Sequence, residues 1–358
     1  MKRSLTTVAA VDLFCGAGGL TYGLRRAGID VRAGIDIDPA CQYPYTANNQ
    51  ALFINKSINQ VDVDDVTGFW TESSYTLLAG CAPCQPFSSY MQGRVDQTDV
   101  RWNLLDEFSR LVEQTKPDFV TMENVPRLQE QQVFKSFLKQ LEDSGYKSVS
   151  VQVVNCSDYG VPQNRKRLVL LASKHGDLRL VPVKTKSKKK TVRDAIGMLP
   201  AVGAGETCIS DELHESCSLS PKNLKRIRAS KQGKTWKEWP MELVSECHSK
   251  PSGSTYSSVY GRMRWDEPSP TITTQFYGFG NGRFGHPEQH RAISFREGAI
   301  LQSFPLGYKF CAPGTRVPKR ALGRMIGNAV PVKLGEVIGK SILKHISDIE
   351  KGLLQCIR

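Results

Sequence analysis

VAAVDLFCGAGGL, residues 8–20, reads as a buried strand that runs into a glycine loop and then opens a helix. Glycines at 16, 18 and 19 permit a tight turn and let backbone N–H groups approach a ligand closely. Lys2 and Arg3 ahead of an apolar stretch resemble a weak signal peptide. Asp12 interrupts that stretch and the glycines follow at once, so a strand and loop explain the residues better. Asp36 falls at the end of the next strand, where a carboxylate accepts hydrogen bonds from a ribose diol. The spacing is FxGxGG rather than GxGxxG, which argues for a nucleoside-type cofactor without a pyrophosphate.

Outward from this unit, strands and helices alternate. Leu20 to Ala27 is a short helix ended by Gly28, and Val31 to Ile37 a strand. Ala40 to Asn48 is helical, and Ser57 to Val61 weakly strand-like. Residues 75–80 form a strand, 102–116 a helix, 118–124 a strand and 132–144 a helix; 148–155 and 167–173 are further strands. This order predicts an α/β fold with a mostly parallel sheet covered on both faces. Loops after the strands then share one edge, where ligands bind.

The chain has 358 residues and a formal net charge of +13, which points to a polyanionic partner or an anionic membrane surface. No window approaches the ~18 uninterrupted apolar residues of a spanning helix. Ten cysteines are a low density at this length, so a reducing, intracellular protein is expected. Cys81 and Cys84 have CxxC spacing, that of half a zinc site or a redox pair, but no second close pair accompanies them; no metal is expected. Residues 184–193 and 222–239 are rich in Lys and Arg, the latter with Trp236 and Trp239. Basic residues mixed with aromatics fit a nucleic-acid face, although aromatics also build small cores. A helical pattern returns from residue 320.

Cys84 lies between Pro83 and Pro86 at the carboxyl end of the strand 75–80, displayed rather than buried. The next strand ends in Glu123, a carboxylate that is costly there unless used or paired. Arg165 and Arg167 are both candidate partners. With these residues in place, the chain closely resembles the DNA (cytosine-5) methyltransferases. DLFCGAGG resembles the family's S-adenosylmethionine loop, PCQPFS its nucleophile loop, MENVP its acidic motif and QNRKR its arginine motif. RMRWDEPSPTIT with REGAILQSFP resembles the stretch after its recognition region, and IGNAVP its last cofactor motif. Six motifs in the family's order cover most of the chain except about 175–260.

The resemblance implies a Rossmann-like S-adenosylmethionine-dependent methyltransferase fold with a smaller, loop-rich target-recognition domain. The expected division is 1–174 for catalysis and cofactor, 175–319 for target recognition, and 320–358 for a segment returning to the catalytic domain. The Cys84 thiolate would add to C6 of a flipped-out cytosine in a specific duplex DNA sequence, and C5 would take the methyl group. Glu123 would protonate or hydrogen-bond N3. Arg167 most resembles the arginine that contacts O2, and Arg165 would support Glu123 and the loop. Phe14, Gly16, Gly18, Gly19, Leu20, Asp36, Ile37, Pro83, Leu104, Asn328 and Val330 would bind the cofactor, leaving S-adenosylhomocysteine as product. An acid often ends the family's third strand; here Ser57 and Ile58 stand in its place, so Ser57, Asn59 or the backbone would meet the adenine amino group. DNA contacts are expected from Gln85 and Ser88, and from Lys225, Arg226, Arg228, Lys231, Lys234 and Arg262, with Tyr256 and Gln275 as weaker candidates. Arg94 and Arg101 would meet phosphates, or are ordinary surface arginines. Loop 88–101 would close over the base. A tRNA cytosine-5 methyltransferase and a non-catalytic DNA-binding protein are the alternatives; the former branch's Cys-Phe-Thr tripeptide is absent. The family's bacterial members imply a monomer in the cytoplasm, associated with the nucleoid, and a restriction endonuclease as functional partner.

Overall fold

All six residues of Val8–Leu13 (β1) are buried, the mark of a strand covered on both faces. A computed structural model describes residues 7–83, 104–183, 188–250, 253 and 258–356 of the chain. Gly19–Ala27 (α1) follows β1 and stops at Gly28, whose φ of 109° lets its N–H reach back to Leu24 and Arg25 carbonyls. Asp30–Asp36 (β2), Gln42–Asn49 (α2), Leu52–Asn55 (β3) and the short Asp64–Thr67 (α3) come next. Tyr75–Gly80 (β4), Leu104–Thr115 (α4), Phe119–Asn124 (β5), Gln132–Asp143 (α5), Ser148–Asn155 (β6) and Lys166–Ser173 (β7) complete the α/β series. The third strand is therefore Leu52–Asn55 and not the expected 57–61; Ile58–Gln60 is a single 3-10 turn. Leu52, Phe53 and Ile54 supply the apolar run that a strand needs, but it is only four residues long.

The strands make one sheet in the order β3-β2-β1-β4-β5-β7-β6. β1 to β5 are mutually parallel, while β7 runs antiparallel to both β5 and β6. The link from β6 to β7 holds no crossover helix, so the two return as an antiparallel pair. Phe108 of α4 and Phe137 of α5 meet edge to face over the sheet core, with centroids 5.6 Å apart.

The chain divides into two compact units: Met1–Asn155, Lys166–Thr185 and Val330–Arg358 form one, Cys156–Arg165 and Lys186–Ala329 the other. Within the first, α1 packs on the helix Val332–Cys356 through glycines. A Cβ on Gly23 would stand 2.3 Å from the Val332 carbonyl oxygen, and one on Gly339 2.6 Å from Ala27 Cβ. In the second, Arg291 and Glu297 are almost fully buried and joined by two 2.7 Å bonds. Ser294 caps the helix Phe295–Leu301 in a reciprocal box with Glu297. Ile227, Trp236, Trp239 and Phe279 form a small core of their own. The helix Lys319–Asn328 belongs to this unit: Gly323 and Gly327 let it press on residues 273–277.

Candidate active site

The strand order reverses between β1 and β4, and their carboxyl ends are level, Leu13 beside Gly80. An open α/β sheet binds its ligand outside such a reversal. Phe14, Gly16 and Gly18 have φ of 57°, 52° and 88°, so the chain leaves β1 in a left-handed turn. Gly16 N–H donates to Asp36 Oδ2 at 2.8 Å, and Asp38 N–H donates to Oδ1 at 2.9 Å. Both carboxylate oxygens thus accept from the backbone around the turn. A Cβ on Gly16 would meet nothing within 4 Å among the described residues, which leave the space over the loop open. Ile37, 68% exposed, sets an apolar face beside the Asp36 carboxylate. A diol acceptor, an apolar face and an open glycine turn fit a nucleoside cofactor.

Two expected cofactor residues turn their side chains elsewhere. Leu20 and Ile58 are buried, Ile58 in the sheet core and Leu20 with its carbonyl against Gly335, so only their backbone remains for a ligand. Phe14, Ser57 and Leu104 are half-buried, Pro83 is exposed, and Gly18, Gly19 and Val330 are buried. Asn328 is exposed at the end of its helix in the second unit.

Asp12, which sequence reading used only as an interruption, has a structural task. Gly18 offers no side chain to cap α1, and Asp12 supplies the acceptor instead. Its Oδ2 receives the Thr21 hydroxyl at 2.6 Å, and its carboxylate also accepts the Thr21 backbone N–H. Burial raises its pKa to about 7, opposed by the Thr21 bond. The folded state thus keeps a proton that the unfolded chain loses near pH 4. That stability is complete below about pH 4, declines as pH rises through about 7 and is flat beyond it. Asp12→Asn should therefore gain in melting temperature over the unsubstituted protein, and gain more at pH 8 than at pH 5. A difference equal at both pH values would refute the assignment. The same burial, beside Asp12 and Asp36, pushes the Cys15 thiol well above its ordinary value, so it stays protonated and inert.

The second half of the edge is built by β4, β5 and β7. Cys81 N–H donates to Leu13 O at 3.3 Å, and Asn124 Nδ2 donates to Ala82 O at 3.1 Å, which fixes the segment after β4. Cys81 is half-buried, and its thiol donates to Glu123 Oε2 at 3.0 Å. Because β7 is antiparallel, its first residues arrive at the carboxyl end of β5. Arg167 Nε lies 2.7 Å from Glu123 Oε1, a charge contact whose N–H does not point along it, so buried Oε1 has no hydrogen bond. Arg165 is buried and donates to Ile272 O and Gly327 O at 2.8 and 3.0 Å, which binds parts of the second unit together. Cys84, Gln85, Ser88, Arg94, Arg101 and loop 88–101 lie outside the described residues, as does Tyr256.

A family model for C-5 cytosine-specific DNA methylases matches residues 8–344. The chain belongs to that family. It is 49% identical over 347 residues to the type II methylase M.HgiDII of Herpetosiphon aurantiacus, covering 96% of this chain and 97% of the relative. It is 33% identical over 343 residues to the type II methyltransferase M1.HphI of Haemophilus parahaemolyticus, covering 93% and 86%. Its fold is similar to that of a candidate DNA modification methyltransferase encoded within an E. coli prophage, with a TM-score of 0.72 at 23% identity over 95% of this chain and 100% of that one. The methylase transfers methyl groups from S-adenosylmethionine to C5 of cytosine in a specific DNA sequence, and binds duplex DNA to do so.

Two residues expected on the methylase's DNA face are interior. Arg226 is buried, stacks over Trp239 and Tyr260 at 5.5 and 5.2 Å, and donates to Leu243 O and Asn223 Oδ1. Arg262 is buried and donates to the carbonyls of Ser230, Ile227, His286 and Gln289; burial lowers its pKa to about 10, so it stays a cation. Both spend their donors on the protein and cannot reach a phosphate. Trp236 and Trp239 build the core described above rather than a stacking face. Lys225, Arg228, Lys231 and Lys234 are exposed, Lys234 in an ion pair with Glu238, and Gln275 is exposed as well. Among the described residues, no group of three or more His, Cys, Asp or Glu could hold a metal, and no helix is long and apolar enough to cross a membrane.

Proposed function

We infer that Cys84 is the nucleophile, Glu123 the group that meets N3 of the cytosine, and Arg167 the cation that holds Glu123 and meets O2. The observation that carries this reading is the pairing of Glu123 with Arg167 beside the Cys81–Pro83 segment, at the carboxyl edge that also bears the glycine loop. The Cys84 thiolate forms a bond to C6, and the C5=C6 electron pair moves onto C5. A proton or hydrogen bond from Glu123 at N3 takes up the negative charge that develops in the ring. When bound, S-adenosylmethionine supplies an electrophilic methyl group for C5. Water then removes the C5 proton, the double bond re-forms, Glu123 takes back any proton given to N3 and the thiolate leaves.

Gly16, Gly18, Gly19, Asp36 and Ile37 would hold the cofactor with Phe14, Ser57, Pro83, Leu104, Asn328 and Val330, and Asp36 would take the ribose hydroxyls. Residues 1–174 with 320–358 serve chemistry and 175–319 recognition, where Lys225, Arg228, Lys231 and Lys234 would meet phosphates. Gln85, Ser88, Arg94 and Arg101 would touch DNA near the target, and loop 88–101 would close over the base. The enzyme would act as a cytoplasmic, nucleoid-associated monomer paired with a restriction endonuclease, in keeping with its type II relatives. Duplex DNA incubated with the protein and methyl-labelled S-adenosylmethionine should carry 5-methylcytosine at one short sequence. Label on the exocyclic N4 would overturn the chemistry.

A further inference from the structure

Glu123 has one oxygen engaged by a thiol and the other by a charge, and the two engagements differ in kind. Cys81 Sγ donates a hydrogen to Oε2, whereas Arg167 Nε lies against Oε1 without an in-line hydrogen bond. A lone pair on Oε2 is thereby filled. The Arg167 cation beside Oε1 and the thiol on Oε2 together hold the carboxyl in one orientation. Two further bonds fix the donor: Cys81 N–H to Leu13 O, and the neighbouring Ala82 carbonyl to Asn124 of the strand that bears Glu123. The backbone that carries the thiol is therefore tied to β1 on one side and to β5 on the other.

We propose that Cys81 is a positioning residue for methyl transfer, its thiol holding the Glu123 carboxyl in one orientation against Arg167. The proposal rests on the reading of Glu123 as the group that meets N3. It gives a task to the first cysteine of the CxxC spacing that needs neither a metal nor a disulfide. Cys81 acts through Glu123 and touches no reacting atom, so its loss should lower the rate without changing what is bound.

The test compares Cys81→Ala, which removes the donor, with Cys81→Ser, which keeps one, in the full chain with DNA containing its methylation site. Single-turnover rates are measured from pH 5.5 to 9, with KM for S-adenosylmethionine and for DNA measured alongside. Cys81→Ala should lower the rate about tenfold, the usual worth of one hydrogen bond to a charged group. It should also move the acid limb of the pH profile and leave both KM values within twofold. Cys81→Ser should recover to within about threefold. In a Glu123→Gln background, Cys81→Ala should cost less than about twofold. An equal loss in both backgrounds, or equal rates for Ala and Ser, would overturn the proposal. Should the alanine variant not fold, Cys81→Gly removes the same donor, and an unmoved pH profile in the folded Cys81→Ser variant also counts against it. A Glu123→Gln enzyme with undiminished rate would overturn the reading of Glu123 itself, and Cys81 would then have nothing to position.

Discussion

Cys84→Ala is expected to lower methyl transfer by roughly four orders of magnitude or more, while binding of S-adenosylmethionine stays unchanged. The two halves of the expectation have separate causes. Cytosine C5 is a poor nucleophile until a sulfur has added at C6, so loss of the thiol removes the step that creates reactivity. No described thiol replaces it: burial keeps Cys15 protonated, and Cys81 is engaged with Glu123. The cofactor turn, in contrast, is tied by the Gly16–Asp36 bond and by Asp12 under α1, and neither involves residue 84. Calorimetric binding of the cofactor beside a methylation assay checks both halves. Methyl transfer that survives the substitution would remove covalent catalysis from the mechanism.

The second large effect is on stability. Glu297→Ala should destabilise the second unit by about 3–5 kcal/mol, because it leaves the Arg291 guanidinium buried and without its counter-charge. The loss is compounded at the helix start, where Glu297 Oε2 also receives the Ser294 N–H at 2.7 Å. His286, which also faces Glu297, offers no anion to Arg291; burial lowers its pKa to about 4 and keeps it neutral, so it adds no second cation. Replacing both partners, Arg291→Met with Glu297→Leu, should recover much of the loss, because no unpaired charge is then buried. Urea unfolding followed by tryptophan fluorescence suits the measurement, as Trp236, Trp239 and Trp265 all lie in this unit. A single variant within about 1 kcal/mol of the unsubstituted protein would show that the pair is dispensable.

The chemistry-bearing strand ends were legible because they break a pattern. Glu123 ends an otherwise apolar strand, Asp36 ends another, and the glycines after β1 fit only a turn. Local periodicity could not decide between Arg165 and Arg167. Only the antiparallel entry of β7 separates them, and the acceptors of Arg165, Ile272 and Gly327, lie more than a hundred positions away. Arg226 and Arg262 misled for a related reason. In sequence they add to a basic run beside tryptophans, whereas burial depends on Tyr260, Leu243 and Gln289 folding around them. A positive run marks a polyanion-binding face only at residues whose guanidinium or ammonium is not already spent on carbonyls and rings. The short strand Leu52–Asn55 was missed because four residues give too little pattern to stand out from the adjoining Ser57–Val61.

The glycine contact between α1 and the helix Val332–Cys356 has a consequence for synthesis on the ribosome. Gly23 admits the backbone of Val332 and Glu336, and Gly339 admits Ala27, only when both helices are present, and the second emerges long after the first. Through most of translation the nascent first unit has no partner for the α1 face that bears Gly23. Complete burial of that face must wait for nearly the whole chain, and a fragment that ends before residue 332 leaves the helix behind the cofactor turn uncovered. Such a fragment should be read by cellular proteases as unfinished. Messages cut short would then give degraded chains rather than proteins that occupy DNA without methylating it.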